Sequence, residues 1–334
     1  MAALSPRALN RALLARQGLL ERAAVPTPQM LERMAGLQAQ YAPSMYVGLW
    51  SRLDDFARGD LTRALEAREV VQATLMRSTI HLVSRADYWP FAIAVREARR
   101  EAWLRSTRSD PPEVAADTLR AALAGGATLR RKEIEALIGK EAARGVGLWV
   151  DVVRAPPSGT WERRRADLYA LAEDWIGPPD LERDAAVEHL VRRYLAGFGP
   201  ATAKDVVSFT GLPVATLTPV LDRLELERHD DLLDLPGAPR PDPDTPAPPR
   251  FLGTWDASLL VHARRTGFLP EEHRPKIFHT KAPQSFPTFT VDGAVAGTWK
   301  HDAGRIELNP FGRLAPADRR ALESEAERLA TFHG

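Results

Sequence analysis

Apolar residues along this chain recur mainly three and four positions apart, interrupted by short strand-like runs and by proline-containing turns. The pattern predicts an α+β fold that is mainly helical. Leu9, Leu13, Leu14 and Leu20 lie broadly on one face of a first helix over 6–22, with Ser5 as its cap and Pro6 in its first turn. Leu31, Met34 and Leu37, at i, i+3 and i+6, mark a second helix. Pro43 disfavours the helical region for Ala42, so that helix is expected to stop near Gln40. A short helix at 60–67 and the apolar strand Ile80-His81-Leu82-Val83 follow. A long helix then opens at Ser84 or Asp87 and runs to about residue 107, carrying Trp89, Phe91, Val95 and Trp103.

The next stretches repeat one scheme. After Asp110-Pro111-Pro112, helices are expected at 113–123 and 128–138, the second capped by Thr128, then strands at 148–150 and 152–153 and a turn built on Pro156, Pro157 and Gly159. Helix, turn, helix, strand, turn and strand is the order of a winged helix. A clearer instance follows, with helices at 184–196, 202–209 and 214–224 and strands at 226–228 and 232–235. Repetition of such units predicts three tandem winged-helix modules, 1–107, 108–178 and 179–236. Residues 237–250 form a proline-rich, semi-rigid linker. The remaining segment, 251–334, reads as a small β-rich region with a hairpin turning at Asp292-Gly293 and a last helix over 316–331.

Composition narrows the function classes. With 334 residues, 44% hydrophobic and 27% charged, the chain can build several cores, and no apolar run approaches the roughly 18 residues of a membrane span. Arg7, Arg11, Arg16 and Arg22 give the first segment a superficial likeness to a targeting peptide, but it has no apolar h-region and reads as a structural helix. The absence of cysteine excludes disulfides, thiolate zinc sites and cysteine nucleophiles, and fits a cytoplasmic protein. A formal charge of +1 does not announce a nucleic-acid binder, although 39 arginines against six lysines favour bidentate phosphate contacts.

The candidate chemistry is sparse. His262, His273, His279 and His301 lack the spacing of zinc ligands, so no metal is expected. Gly125-Gly126 reads as a helix-end turn and not as a phosphate loop, and no lysine suggests Schiff-base chemistry. Asp292 is accounted for by its turn, and Asp256, just before His262 and Arg265, by a structural ion pair. His81 reads as a core histidine, whereas Arg77, Ser78 and Thr79 offer a phosphate-sized set of donors ahead of an apolar strand. The feature that stands apart is Gln38-Ala39-Gln40. Residues two apart on a helix point about 200° away from each other. The two amides can therefore serve one site only if the helix frays or ends between them, and Pro43 supplies a reason for it to end.

Leu37-Gln38-Ala39-Gln40, Tyr46-Val47-Gly48-Leu49-Trp50-Ser51-Arg52-Leu53 and Met76-Arg77-Ser78-Thr79-Ile80-His81-Leu82-Val83 together resemble the winged-helix crosslink-repair DNA glycosylases of the azinomycin-resistance type. The resemblance continues through Pro156-Pro157-Ser158-Gly159-Thr160-Trp161, Gly197-Phe198-Gly199-Pro200-Ala201-Thr202 and the stretch from Val291 to Trp299. In that bacterial family a glutamine, an apolar residue and a second glutamine form the catalytic motif, which maps onto Gln38 and Gln40. The resemblance implies a C-shaped molecule around duplex DNA carrying alkylated bases. It implies a monofunctional glycosylase that hydrolyses the N-glycosidic bond of N7-alkylated purines, unhooks interstrand crosslinks, and works beside the nucleoid without cofactor, membrane or obligate protein partner. Under it, DNA contact is expected from Arg77, Ser78 and Thr79, from Arg130, Arg131 and Lys132, from Arg163 with Arg164 and Arg165, from Lys204, and from Lys281 in a hairpin entering the groove. Such contacts would make binding strongly salt-dependent. The residues alone leave two other readings open: a non-catalytic winged-helix DNA-binding protein, either regulator or drug-sequestering factor, and a small-molecule binder in which Trp50, Trp149 and Trp161 line a pocket.

Overall fold

The computed structural model describes residues 4–108, 110–260, 267–279 and 284–334. Its first helix, Pro6–Arg16, takes its cap from the Ser5 side chain, which accepts from the backbone N–H of Ala8. It ends at Arg16, earlier than expected, where the Gln17 N–H closes onto the carbonyls of Leu13 and Ala15. The second helix covers only Thr27–Arg33. Ala35 and Gly36 then take left-handed conformations (φ 55° and 81°), and a Cβ on Gly36 would lie 2.9 Å from the Val83 side chain. The chain leaves this turn extended, as strand β1, Leu37–Gln38. Pro43 does not terminate a helix; it sits in the first turn of the next one, Ala42–Trp50, where its missing N–H costs nothing.

Strand β1 is the edge of a six-stranded antiparallel sheet. The others are β2 (Val70–Thr74), β3 (Ile80–Ser84), β4 (Thr128–Arg130), β5 (Val152–Arg154) and β6 (Leu168–Leu171), in the order β1-β3-β2-β5-β6-β4. Gln38 faces His81 across β1–β3, and Gln72 faces Arg154 across β2–β5, so strands from residues 37–84 and 128–171 make one surface. Thr128, expected to cap a helix, pairs instead with Ala170 in β4. The helix that follows is Arg131–Ile138, and the Arg130 N–H donates to the Glu133 carboxylate at 2.6 Å. Ser84 caps the long helix Arg85–Thr107 as expected, accepting from the Asp87 N–H.

Helices Arg183–Phe198, Ala203–Thr210 and Val214–Arg223 and the hairpin β7 (Glu227–His229) and β8 (Leu232–Asp234) reproduce the expected order. Residues 237–249 carry no regular structure. Their carbonyls are gripped by the first helix: Arg7 donates to Pro243, Arg11 to Thr245 and Arg16 to Pro239, at 2.7–3.1 Å. Beyond lie β9 (Arg250–Leu252), the short pair β10 (Phe278–His279) and β11 (Gln284–Ser285), and then β12 (Thr288–Val291), β13 (Ala294–Asp302) and β14 (Arg305–Pro310). The longer strands form a sheet in the order β14-β13-β12-β9, and Asp292 and Gly293 turn the β12–β13 hairpin with φ 45° and 78°. The last helix is Pro316–His333.

Two cores flank β1. One joins the helices Thr27–Arg33 and Ala42–Trp50 to Phe251, Phe289, Trp299 and the last helix. The other joins Val71, Ala73 and Val83 of the sheet to the long helix and to the helices between residues 183 and 223. Buried ion pairs tie distant segments, with Arg16 on Asp234 at 2.7 Å and Arg52 on Asp256 at 2.9 Å. Asp256 is therefore structural, but its partner is Arg52; His262 and Arg265 lie outside the described residues. Asp292 combines its turn with ion pairs to Arg7 and Arg11.

Candidate active site

The strand at Leu37–Gln38 settles the geometry of the two glutamines. In extended backbone, residues two apart point the same way and the one between points oppositely. Leu37 and Ala39 are buried in the core built on the Ala42–Trp50 helix, and the Ala39 N–H donates to the Ile80 carbonyl at 2.7 Å. Gln38 and Gln40 turn away from that core and meet: the Gln38 amide nitrogen donates to the Gln40 carbonyl oxygen. An apolar middle residue is thus what anchors the pair. Gln38 is 5% exposed, while Gln40 is open to solvent.

Arg77 fixes which end of each amide faces where. Its guanidinium donates through Nη2 to Gln38 Oε1 at 3.3 Å and through Nη1 to the Phe209 carbonyl, and it stacks 5.4 Å from the Phe209 ring. A guanidinium can only donate, so the Gln38 atom facing it is oxygen. The Gln38 nitrogen then faces Gln40, whose facing atom is in turn oxygen. The Gln40 NH₂ is left pointing outward. Burial lowers the Arg77 guanidinium to about 10, still charged at neutral pH. Arg77 and Ser78 both adopt left-handed φ, 52° and 57°. Two such non-glycine residues in succession cost on the order of 1–3 kcal/mol each and cluster at functional sites.

His81, opposite Gln38, is buried, and its Nδ1–H donates to the Thr79 carbonyl at 2.9 Å. Burial, reinforced by Arg77, pushes it from 6.5 down to about 3, so it is neutral throughout the physiological range. In the unfolded chain the same imidazole binds a proton below about 6.5, so stability falls as pH is lowered from about 6.5 towards 3. Equilibrium unfolding as a function of pH should show a shallower fall in His81→Gln than in the wild type.

The other expected site residues fall into separate groups. Arg130 and Arg163 come together with Arg164 and Arg165 around a small hollow of about 230 Å³, where Asp167 neutralises part of the charge through Arg130 at 3.3 Å and Arg165 at 3.1 Å. Arg131 is engaged internally, on Glu135 and the Ala143 carbonyl, and Lys132 is exposed. Lys204 is exposed in the first turn of the helix whose far end presents Phe209 to Arg77. The Thr79 hydroxyl donates to the Met76 carbonyl, and Ser78 is exposed. Lys281 lies outside the described residues.

Tyr41, which the sequence reading passed over, follows Gln40 directly and is 45% exposed. Its hydroxyl accepts from Arg164 at 3.2 Å, and its ring borders a hollow of about 510 Å³ with Trp161, Lys276, Phe286 and Lys300. An aromatic residue beside the polar pair, ahead of a helix-starting proline, was the available signal. Gly159 places the Pro156–Trp161 turn against this region: its carbonyl accepts from Gln72 at 2.9 Å, and a Cβ there would lie 2.4 Å from Gln72 Oε1. Of the tryptophans that the small-molecule reading puts in a pocket, Trp50 packs with Phe332 and Trp149 with Trp103.

A family model described as DNA glycosylase AlkZ-like matches residues 31–332. Among solved structures, the DNA glycosylase AlkZ of Streptomyces sahachiroi is similar, with a TM-score of 0.83 at 19% identity over 99% of this chain and 98% of that one. No curated protein matches the chain by sequence.

Proposed function

The chain belongs to the family of AlkZ-like DNA glycosylases and is a DNA glycosylase, and from that premise we propose that it excises N7-alkylated purines with Gln38 and Gln40 as the catalytic pair. The observation that carries this reading is the convergence of the two amides on one side of β1, oriented by Arg77.

An N7-alkylated purine already bears positive charge and leaves as a neutral base, so the catalyst has little protonation to do. The transition state places cationic character on the sugar. A glutamine is no general base near neutral pH. In the orientation that Arg77 sets, the outward NH₂ of Gln40 can hold a phosphate or the oxygen of the attacking water, and the free lone pair of its carbonyl can still accept a hydrogen bond from that water. Gln40 meets substrate in this scheme, Gln38 sets its orientation and lends the second amide, and Arg77 is a positioning residue. The lesion lies in the major groove, where N7 is displayed, so full extrusion of the base is not required. The same hydrolysis would unhook interstrand crosslinks made through N7.

The chain would present tandem winged-helix modules over 1–107, 108–178 and 179–236 and, with the C-terminal region, a concave face to duplex DNA. Phosphates would meet Arg130, Lys132, Arg163 and Lys204, while Ser78 and Thr79 border the site. Lys281, outside the described residues, remains a candidate for DNA contact. No helix among the described residues is long and apolar enough to cross a membrane; acting on DNA would put the chain beside the nucleoid.

Incubation with duplex containing N7-methylguanine, followed by mild alkali, should yield strand breaks at the lesion. Intact strands despite tight binding would instead favour a non-catalytic DNA-binding protein. Arg77→Met should lower kcat about tenfold with little change in KM, because it frees the Gln38 amide to flip; Arg77→Lys, which keeps a donor, should recover part of the loss. Equal loss in both variants would remove the positioning role.

A further inference from the structure

Behind the turn that carries Arg77, a cavity of about 580 Å³ opens between the helix Arg85–Thr107 and residues 131–152. Two guanidiniums converge at its wall. Arg99 Nη1 donates to the Thr74 carbonyl at 2.8 Å, and Arg154 Nη2 donates to the Thr74 hydroxyl at 3.2 Å. Neither arginine has a carboxylate partner among the described residues, and the Nε–H of each is buried without an acceptor. The acid on the same wall, Asp151, is held by Arg96 at 2.8 Å. Burial lowers both guanidiniums from their ordinary value, Arg99 to about 10, and a guanidinium in a protein keeps its charge at neutral pH. Two cations withdrawn from water onto one residue, with no carboxylate in contact, are unfavourable until an anion joins them.

The rest of the wall is suited to a ring. Tyr88 and Tyr169 supply phenols, Trp103 an aromatic face, and the Arg154 guanidinium already lies 5.4 Å from the Tyr169 ring centre. The volume falls within the range of small-molecule sites, about 300–1,000 Å³.

We infer that this cavity binds a small anion carrying one planar ring, of the size of a nucleoside monophosphate, with its anionic group on Arg99 and Arg154. The fork of a guanidinium matches the spacing of phosphate or carboxylate oxygens, and two of them beside Thr74 can share one anion. Ser78 belongs both to this wall and to the strained turn, so an occupant would brace the turn that positions Gln38. The binding claim itself does not depend on the excision chemistry. A phosphate of the DNA backbone could supply the same anionic group.

The test is calorimetric titration of the full chain with deoxyadenosine monophosphate, inorganic phosphate and deoxyadenosine. The nucleotide should bind, phosphate more weakly, and the uncharged nucleoside not measurably. Arg99→Met and Arg154→Met should weaken the nucleotide roughly ten- to a hundredfold. Should either fail to fold, Tyr88→Phe, which keeps the ring and removes one hydroxyl, should still weaken it by a smaller factor. Absence of nucleotide binding, or unchanged affinity in the folded variants, would overturn the inference. So would stoichiometric displacement of the nucleotide by undamaged duplex, which would assign the anion to the DNA backbone.

Discussion

Gln38→Ala and Gln40→Ala are each expected to slow base excision by about two to three orders of magnitude, the loss typical of removing one preorganised polar group from a transition state. Duplex affinity should stay nearly constant, because the pair would act on the reacting sugar and not on the phosphates that dominate binding. The two substitutions differ in what they leave behind. Without Gln38, Arg77 Nη2 loses its acceptor and the Gln40 carbonyl loses its donor. Without Gln40, the Gln38 amide stays oriented by Arg77 but no amide reaches the open side. Both changes remove links of one chain, so the double variant should be scarcely slower than the worse single one. Single-turnover excision, read beside a binding isotherm for each variant, checks both halves of the prediction.

The second large effect is on stability. Arg52 and Asp256 form a bidentate pair whose side chains are only 0% and 1% exposed, linking the Ala42–Trp50 helix end to the segment after β9. Asp256→Ala leaves an uncompensated guanidinium in the interior and should cost about 3–5 kcal/mol. Replacing both partners, Arg52→Met with Asp256→Leu, should cost much less, because no buried charge is then stranded. Denaturant unfolding measures the difference. The folded fraction of Asp256→Ala should keep its excision rate, whereas a carboxylate that activated water would take the activity with it.

The third set of helices, its terminal hairpin, the Ser84 cap and the Asp292-Gly293 turn were legible in the sequence because each rests on neighbouring residues. The backbone of the glutamine motif was not. Leu31, Met34 and Leu37 fit helical spacing, yet the left-handed Ala35 and Gly36 intervene, and the pairing of β1 with β3 depends on residues more than forty positions downstream. The requirement that the helix end was correct, but it ends before both glutamines, and the pair meets across the end of β1 and the bend at Gln40 rather than on a frayed helix. Arg77 was noticed as a donor, but its hold on Gln38 and on Phe209, 132 residues away, belongs to tertiary structure. The partner of Asp256 was equally hidden, since Arg52 lies 204 residues earlier.

The most direct test of the central claim is single-turnover reaction on duplex with one N7-methylguanine, following released base by mass spectrometry for the wild type and for Gln38→Ala/Gln40→Ala. The account predicts free N7-methylguanine and an unbroken abasic strand from the wild type, and release slowed by about two to three orders of magnitude in a double variant that still binds the duplex. Release by the double variant at the wild-type rate would contradict it.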